Sequence, residues 1–438
     1  MPRVLFAVTA RSALSVITGH IDHLATLGWH VDVVVGEPVA SSVFPRANVI
    51  VLPMRRDASA RSDARALRQW ISLLKRIRPD VVIGATPKAA VLSLTAAKLT
   101  GVPHRVWWAW GVRGERLASP LVHRLEAHAA RLATVSVAAS DSLAEATLVA
   151  GSRVRPLVLG AGAIAGVDLD VFYRSSLPGA TPTHYDQPVA IYLGRLARGK
   201  GIAELADVWR QVSLKIPEAR LIVAGEADLL DPPGAPLTEL RAMPSVDMVG
   251  HSDDAAALLR YADLMIFPCA RDGLPAVVLE AAASEVPTVA WDVVGVRDAI
   301  VGGVTGSLVP AGDTAAMADA VVGHLRDRDR TRLMGAAARA HVADRFERTR
   351  VEASFAALLA TMMGRPAGSA MAGVGLGAAA GDATGDFGGT VPAIPEFAAA
   401  VPGEVSSESS AHDSDGRGVH IDLSAARPAS DPTQPAMR

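Results

Sequence analysis

Two carboxylates occur where an α/β protein binds ligands. Asp272 follows an apolar run, Leu264 to Phe267, that predicts a buried parallel strand, and Glu280 lies within the helix that comes next. Ligands of open parallel sheets bind at the carboxyl ends of the strands, and the first turn of a helix favours phosphate. A phosphate site with an acid on either side fits a phosphate-bearing, hydroxyl-rich ligand such as a nucleotide sugar.

The helix after Asp272 has its own start signal. Pro275 is expected to be its first residue, because proline has no N–H to leave unbonded there and its φ is already helical. The segment Gly273-Leu274-Pro275-Ala276 is then expected to present backbone N–H groups of the first turn to a phosphate.

Two cations follow another predicted strand, Val189 to Leu193. Arg195 and Lys200 come directly after it and would neutralise a diphosphate leaving group, which Arg195 can bind through two hydrogen bonds. A basic surface loop is the plainer interpretation. The acid-flanked turn further along the chain favours the ligand role.

The composition of the 438-residue chain limits the class of protein. Half of the residues are apolar, enough for two domains with large cores. Cys269 is the one cysteine, which excludes an intramolecular disulfide and a multi-cysteine metal site and fits a reducing cytoplasm. The run from Val4 to Ala10 is too short for a signal peptide, and no apolar stretch is long enough to span a bilayer. We expect a cytoplasmic protein, with peripheral attachment to the inner face of the plasma membrane left open.

The charge is unevenly distributed along the chain. Residues 1–165 hold 20 Lys and Arg against 10 Asp and Glu, whereas the rest holds 23 against 35. The basic part favours an anionic partner or membrane surface rather than indicating nucleic acid, which we do not expect as a partner. Trp70, Trp107, Trp108 and Trp110, among the arginines of this part, suit either a lipid headgroup interface or a core.

Polar residues also follow strands in the first part of the chain. Thr9, Arg11 and Ser12 come after the opening strand, where a Gly-x-Gly-x-x-Gly dinucleotide fingerprint is absent. Capping of the next helix by Ser12 is as good an explanation as ligand contact. Lys88 follows Thr86, a predicted N-cap, and opposes the helix dipole there, so a diphosphate-bearing acceptor would explain it.

Strands and helices alternate throughout and predict an α/β fold of two doubly wound, Rossmann-like domains. The expected segments are a first domain, a linker, a second domain, a last helix and a disordered tail: 1–170, 171–188, 189–345, 346–363 and 364–438. The tail is rich in Gly, Ala, Pro, Ser and Asp, and residues 366–438 carry 9 acids and 3 Arg, so it cannot bury a core.

These motifs, in this order, resemble retaining glycosyltransferases of the GT-B fold, the large family 4 group. Asp272 and Glu280 match the E-x7-E signature, with Asp in place of the first Glu, and Arg195 and Lys200 match Gly-Arg-Leu-x-x-x-Lys-Gly. The resemblance covers about residues 3–362. It implies two facing domains with an interdomain cleft, and a last helix that crosses back to the first domain.

Further motifs are similar to a subgroup that extends lipid-linked or capsular saccharides. They include Thr-Pro-Lys-Ala at Lys88 and Trp-Gly-x-Arg, which ends at Arg113. Many family members carry a histidine near that point, but here the loop is Trp110-Gly111, so no histidine base is carried over. The predicted acceptor-binding residues are Thr9, Arg11, Ser12, Lys88 and Arg113.

The resemblance implies a role for each donor-site residue. Arg195 and Lys200 hold the diphosphate, the first acid touches the donor sugar, the second touches the ribose, and the loop at Gly250-His251 approaches the base. The residues expected to be catalytic are Arg195, Lys200 and Asp272. The full predicted donor site is Arg195, Lys200, Gly250, His251, Asp272, Gly273, Leu274, Pro275, Ala276 and Glu280.

The predicted reaction moves a sugar, such as an N-acetylhexosamine, from a UDP-sugar with retention. No metal or other cofactor is expected, because the two cations already stabilise the leaving diphosphate. The expected acceptor is a saccharide or a polyprenyl-diphosphate-linked sugar in cell-surface polysaccharide biosynthesis. Three alternatives stay open: a soluble acceptor such as an inositol phosphate, a nucleotide-sugar 2-epimerase of similar fold, and a non-catalytic saccharide-binding relative.

Overall fold

The computed structural model describes residues 1–39, 44–54, 60–111, 120–149, 154–173, 187–228 and 231–364. The tail predicted from 364 onwards, apart from Gly364 itself, and most of the predicted linker lie outside these residues, as does Arg113. Every helix in the described part of the chain is too short or too polar to cross a bilayer.

A seven-stranded parallel sheet forms the first half of the described chain, with strand order β3-β2-β1-β4-β5-β6-β7. Its elements are β1 (Arg3–Val8), α1 (Leu14–Thr26), β2 (His30–Val35), β3 (Asn48–Val51), α2 (Ala60–Ile77), β4 (Val81–Gly84), α3 (Pro87–Leu99), β5 (His104–Ala109), α4 (Pro120–Leu132), β6 (Val135–Ala138), α5 (Asp141–Val149) and β7 (Leu157–Val158). Alternate residues of β1 enter two separate cores: Phe6 packs with α1, and Leu5 packs with α2 and α3. The near-continuous apolar strands follow from this burial on both faces.

A six-stranded parallel sheet forms the second half, with strand order β10-β9-β8-β11-β12-β13. Its elements are β8 (Val189–Leu193), α6 (Ile202–Lys215), β9 (Arg220–Ala224), α7 (Ala235–Ala242), β10 (Val246–Gly250), α8 (Ala255–Leu259), β11 (Leu264–Phe267), α9 (Ala276–Ala283), β12 (Thr288–Trp291), α10 (Val296–Ala299), β13 (Gly306–Val309), α11 (Thr314–Arg326), α12 (Arg328–Arg345) and α13 (Arg348–Met362). Tyr192 of β8 packs with α6 and α11, whereas Ile191 packs with α9 and α12.

Each sheet reverses its winding once. The reversal lies between β1 and β4 in the first sheet and between β8 and β11 in the second, since these strands are neighbours in space but not in sequence. Such a switch point leaves a crevice at the carboxyl ends of the two strands. The predicted cations follow β8, and the predicted acid-flanked turn follows β11.

The last helix, α13, packs on the first sheet although it follows the second one. The ring of Phe355 stacks on Trp108 of β5 with 4.4 Å between centroids, and it lies 6.3 Å from the ring of Phe6 in β1. A backbone hydrogen bond holds the residues just before α13: the N–H of Val167 donates to the carbonyl of Phe346. The chain therefore returns to its first half after completing its second.

The four tryptophans that suggested two interpretations belong to the core. Trp70, Trp107 and Trp108 are buried, and Trp110 is half-buried with its ring edge-on to Trp108 at 5.5 Å. Their interpretation as a lipid headgroup interface is wrong, because the strand alternation of β5 and the inner face of α2 direct them inward. They give no support to membrane attachment.

Candidate active site

The turn between β11 and α9 carries Asp272. The strand is fully buried to Phe267, and α9 begins at Ala276. Pro275 precedes the helix as its N-cap, with φ −74° and ψ 111°. The prediction that Pro275 is the first helical residue is therefore wrong by one position: its φ is helical, but its ψ is extended. Asp272 lies outside the helix, as predicted.

Asp272 and Lys200 form an ion pair across the switch point of the second sheet. The Nζ of Lys200 lies 2.7 Å from Oδ2 of Asp272, and Oδ1 accepts the backbone N–H of Gly273 at 2.8 Å. Burial alone would lower the pKa of Lys200, but the neighbouring Asp272 carboxylate outweighs burial, and the pKa is raised. Lys200 is thus charged at neutral pH. The side chain predicted to bind the phosphate, Lys200, and the side chain predicted to bind the sugar, Asp272, are therefore in direct contact.

Arg195 extends from the end of β8 and pairs with Asp228, in the loop after β9, through its Nη1. The guanidinium is 64% exposed, whereas Asp228 is 12% exposed. The contact engages one nitrogen of the fork, so the exposed remainder faces solvent at the strand end. Asp228 was not predicted as part of the site. The acidic cluster after the strand, which also holds Glu226 and Asp231, was the signal that could have identified it.

Glu280 lies about one turn into α9. Burial raises its pKa to about 7, and the positive charge of Arg348 at the start of α13 opposes this only in part. The side chain is therefore divided between acid and carboxylate near neutral pH. A ligand hydroxyl that donates a hydrogen bond to it would favour the charged form.

The predicted base-binding loop begins at the end of β10. Gly250 has φ +79°, a conformation that favours glycine, and its carbonyl accepts the backbone N–H of Gly225 at 2.7 Å. His251 is exposed, and its Nε2 lies 3.1 Å from a carboxylate oxygen of Asp253. The loop lies two strands away from β8, at the same carboxyl edge of the sheet.

Four of the five predicted acceptor residues lie in the described part of the chain, after β1 and β4 at the switch point of the first sheet: Thr9, Arg11, Ser12 and Lys88. The backbone N–H of Thr9 donates to the hydroxyl oxygen of Thr86 at 2.9 Å, and the two hydroxyls lie 2.7 Å apart. Thr86 is the N-cap of α3, as predicted, but it makes no capping hydrogen bond because its oxygen is used by Thr9. Arg11 is exposed. Ser12 lies in a short 3-10 turn, and α1 begins after Ala13, so Ser12 is not the N-cap of that helix.

Lys88 has an intramolecular partner. Its Nζ lies 2.7 Å from a carboxylate oxygen of Asp63 in α2, and the lysine side chain is only 16% exposed. This pair explains how a cation is tolerated at the start of α3. It removes the need for a diphosphate acceptor as the explanation of Lys88.

The turn between β11 and α9, in the second sheet, contacts residues of the first sheet. The hydroxyl of Ser140, at the start of α5, donates to the carbonyl of Gly273 at 2.8 Å. A Cβ placed on Gly273 would lie 1.7 Å from the backbone oxygen of Trp110. The backbone N–H of Gly295 donates to the hydroxyl of Ser142 at 2.8 Å. Neither serine was predicted as a site residue, because contacts between distant segments leave no local pattern in the sequence.

Comparisons with known proteins agree with this architecture. A family model described as "Glycosyl transferase 4-like domain" matches residues 15–162, and one described as "Glycosyl transferases group 1" matches residues 187–327. The Staphylococcus aureus capsular polysaccharide biosynthesis glycosyltransferase CapM is 26% identical over 353 residues, 78% of this chain and 93% of its own. A D-inositol 3-phosphate glycosyltransferase of Mycobacterium tuberculosis is 34% identical over 191 residues, 41% of this chain and 39% of its own.

Solved structures share the fold. The crystal structure of Anabaena Alr3699/HepE in complex with UDP and glucose superimposes with a TM-score of 0.71 at 19% identity, over 82% of this chain and all of that one. Two doubly wound parallel sheets, with a last helix that returns to the first sheet, define the GT-B fold. The chain belongs to the group 1, or family 4, glycosyltransferases, since their two domain models match its two sheets in order. The predicted fold class and family are confirmed.

Proposed function

We propose that the enzyme transfers a sugar from a UDP-sugar, with retention of anomeric configuration, to a saccharide or lipid-linked saccharide of a cell-surface polysaccharide. The observation that carries the proposal is the contact between Lys200 and Asp272, at 2.7 Å, on a turn that abuts the first sheet. The printed name of the relative CapM, a capsular polysaccharide glycosyltransferase, and the UDP complex of HepE support the acceptor and donor classes.

The proposed roles follow from charge and position. Arg195 and Lys200 stabilise the negative charge that develops on the departing UDP, and they act most strongly in the transition state. Asp272 accepts hydrogen bonds from hydroxyls of the donor sugar, and Glu280 accepts them from the ribose. In the reaction, the bond from the anomeric carbon to the diphosphate oxygen breaks with its electron pair on UDP. The acceptor oxygen bonds to the same carbon, and its proton passes to the departing phosphate oxygen.

The remaining donor residues complete the proposed site. The backbone of Gly273, Leu274 and Ala276, around Pro275, lies at the positive end of α9 and would contact phosphate. Gly250 and His251 would border the base. We propose that the reaction needs no metal ion, because the two cations supply the positive charge. Full activity in excess EDTA is the expected result, and a loss that Mg²⁺ restores would contradict this part.

The proposed acceptor is membrane-linked, because α2 presents a basic face. Its inner side packs through Trp70 and Leu74 in the core. Its outer side carries exposed cations with no acidic partner among the described contacts: Arg61, Arg65, Arg68, Lys75 and Arg76. An exposed basic face fits the surface of an anionic bilayer through charge alone, and peripheral attachment through this face is part of the proposal.

A soluble acceptor such as an inositol phosphate is the second candidate. It is favoured by the 34% identity to a D-inositol 3-phosphate glycosyltransferase, although that match spans only 41% of this chain. Product formation from UDP-sugar and inositol phosphate, with none from lipid-linked saccharide, would select it.

Thermal-shift screening with UDP-, GDP- and ADP-sugars tests the donor. A ligand that binds the folded state at a hundred times its Kd adds about 2.7 kcal/mol to the free energy of unfolding. We expect UDP-sugars to raise the melting temperature and the others to have little effect. A rise with GDP- or ADP-sugars alone would contradict the proposed base.

A further inference from the structure

The basic turn, residues 194–201, is hydrogen-bonded by a buried side chain that is not among the proposed donor-binding residues. The hydroxyl of Tyr192, in β8, lies 3.0 Å from the carbonyl of Arg195 and 3.3 Å from that of Lys200. Tyr192 is 1% exposed, so these carbonyls take the place of water as its partners. Burial raises the pKa of Tyr192 far above its ordinary value, and the hydroxyl therefore keeps its proton and donates. One buried group thus ties the two cationic residues together.

A second support comes from two acids of the β9 loop. Asp228 pairs with the guanidinium of Arg195. A carboxylate oxygen of Asp231 accepts the backbone N–H of Gly199 at 2.8 Å, and the other lies 3.7 Å from Nε of Arg198. Side-chain and backbone groups of the turn are therefore both held.

The loop that carries these acids is itself fixed to the basic turn. The backbone N–H of Leu196 donates to the backbone carbonyl of Glu226 at 2.8 Å, and the backbone N–H of Asp228 donates to the backbone carbonyl of Leu196 at 3.1 Å. These bonds continue the pairing of β8 with β9 beyond the strand ends. A Cβ on Gly225 would lie 1.8 Å from the carbonyl oxygen of Gly194, so the two backbones are in close contact. The carboxylate of Asp228 is consequently held beside the turn by the backbone.

Acids beside a diphosphate site need an explanation, because they reduce the positive charge that the site offers to its ligand. Their explanation here is geometric. An exposed arginine has many rotamers, and fixing it before the ligand arrives removes an entropic penalty from binding. Asp228 engages one nitrogen of the guanidinium and leaves the others for a phosphate.

We propose that Tyr192, Asp228 and Asp231 are positioning residues that hold the basic turn in its diphosphate-binding shape before the donor binds. The inference rests on the proposed function for the identity of the ligand, but not for the existence of the support. Asp228 and Asp231 therefore increase donor affinity, although they have the same sign of charge as the diphosphate.

The first arm of the test needs no ligand. Hydrogen exchange of the backbone amides in residues 194–201 is measured in the wild type, Tyr192→Phe and Asp231→Ala, since Asp231 accepts the backbone N–H of Gly199. Asp319→Ala is the matched control, because Asp319 pairs with Lys215 on an exposed surface. We expect amide exchange in this segment to be about five- to tenfold faster in both variants, because each loses one hydrogen bond. The exchange rate should be unchanged in the control. Unchanged exchange would overturn the proposal.

The second arm measures UDP binding by titration calorimetry at a temperature where all variants are folded. We expect the Kd of UDP to rise about five- to tenfold in Tyr192→Phe and in Asp228→Asn, and to be unchanged in Asp319→Asn. Tighter UDP binding in Asp228→Asn would overturn the proposal, because the acid would then be a competitor. Faster exchange together with a wild type that binds no UDP would contradict the proposed donor while supporting the positioning role.

Discussion

The two acids that flank the β11–α9 turn have different surroundings. Asp272 has the ammonium of Lys200 at 2.7 Å. Glu280 is half-buried in α9, and this partial burial raises its pKa to about 7. The spacing in the sequence indicated both acids. It could not indicate the state of Glu280, because that depends on burial and on Arg348, which folding brings close from another helix.

Replacement of Glu280 by Gln should stabilise the protein above pH 7. An acid whose folded pKa is raised binds its proton more tightly in the folded state, so its contribution to stability is greatest below about pH 4.5 and falls as pH rises towards 7. Gln avoids the burial of a charge. We expect the free energy of unfolding of Glu280→Gln to exceed that of the wild type by about 2–3 kcal/mol at pH 8 and by under about 1 kcal/mol at pH 5.

Urea unfolding at the two pH values measures this difference. Glu285→Gln serves as control, since Glu285 lies just beyond the end of α9 and is half-buried as well. If Glu280→Gln raises the free energy of unfolding by the same amount at pH 5 and pH 8, burial does not raise the pKa of Glu280. If Glu280 binds the ribose, the stabilised variant should nevertheless bind UDP more weakly.

At the scale of elements, the β11–α9 turn of the second sheet is in contact with residues of the first sheet. The strands, the order of the helices and both switch-point turns could be predicted, because apolar runs and helix-start residues are local patterns. The contacts of Gly273 with Trp110 and Ser140 could not, because they join segments more than 130 positions apart. Asp63, the partner of Lys88, was not predicted either, because an ion pair between two separate helices leaves no local pattern in the sequence.

Gly273→Ala should impair transfer without unfolding either sheet. Its Cβ would lie 1.7 Å from the backbone oxygen of Trp110, and backbone cannot give way as a side chain does. We expect kcat/KM to fall about tenfold or more, because a displacement of about 1 Å at a reacting site can cost a hundredfold. Gly323→Ala is the control: it lies in α11 with open space around it and should leave activity unchanged. Equal activity in both variants would show that the contact can relax freely.

The crossing helix α13 should be essential to the first half. Phe355 is buried and stacked on Trp108, so Phe355→Ala should lower the free energy of unfolding by about 3–5 kcal/mol. Leu333→Ala, at a 63% exposed position of α12, should change it by less than about 0.5 kcal/mol. Urea unfolding followed by tryptophan fluorescence measures both. If Phe355→Ala lowers the free energy of unfolding by less than about 1 kcal/mol, the packing of α13 on the first sheet contributes little to stability.

At the scale of the whole molecule, part of the excess positive charge of the first 165 residues lies on one exposed face of α2. Residues 1–165 carry twice as many cations as acids, and the exposed face of α2 displays several of those cations. The sequence predicted a basic first half. The face could be identified only after the fold showed which side of α2 packs inward.

Replacement of Arg65 and Arg68 by Ser should weaken attachment to anionic vesicles. Each basic residue near such a surface contributes about 1 kcal/mol, so the loss of both should lower the partition coefficient about thirtyfold at low salt. The matched variant replaces Lys215 and Arg332, exposed cations of the second half, by Ser. Flotation with vesicles that contain anionic lipid measures both. No flotation of the wild type at low salt would contradict the membrane-linked acceptor.

The central claim is that Arg195, Lys200 and the acid-flanked turn bind one activated sugar. Titration of UDP into the wild type and Arg195→Ala tests it most directly, with circular dichroism to establish that both are folded. We predict that the wild type binds UDP, that the Kd rises about a hundredfold in Arg195→Ala, and that sugar transfer by the variant is abolished. Equal UDP affinity and full transfer activity in a folded Arg195→Ala would contradict the assigned site.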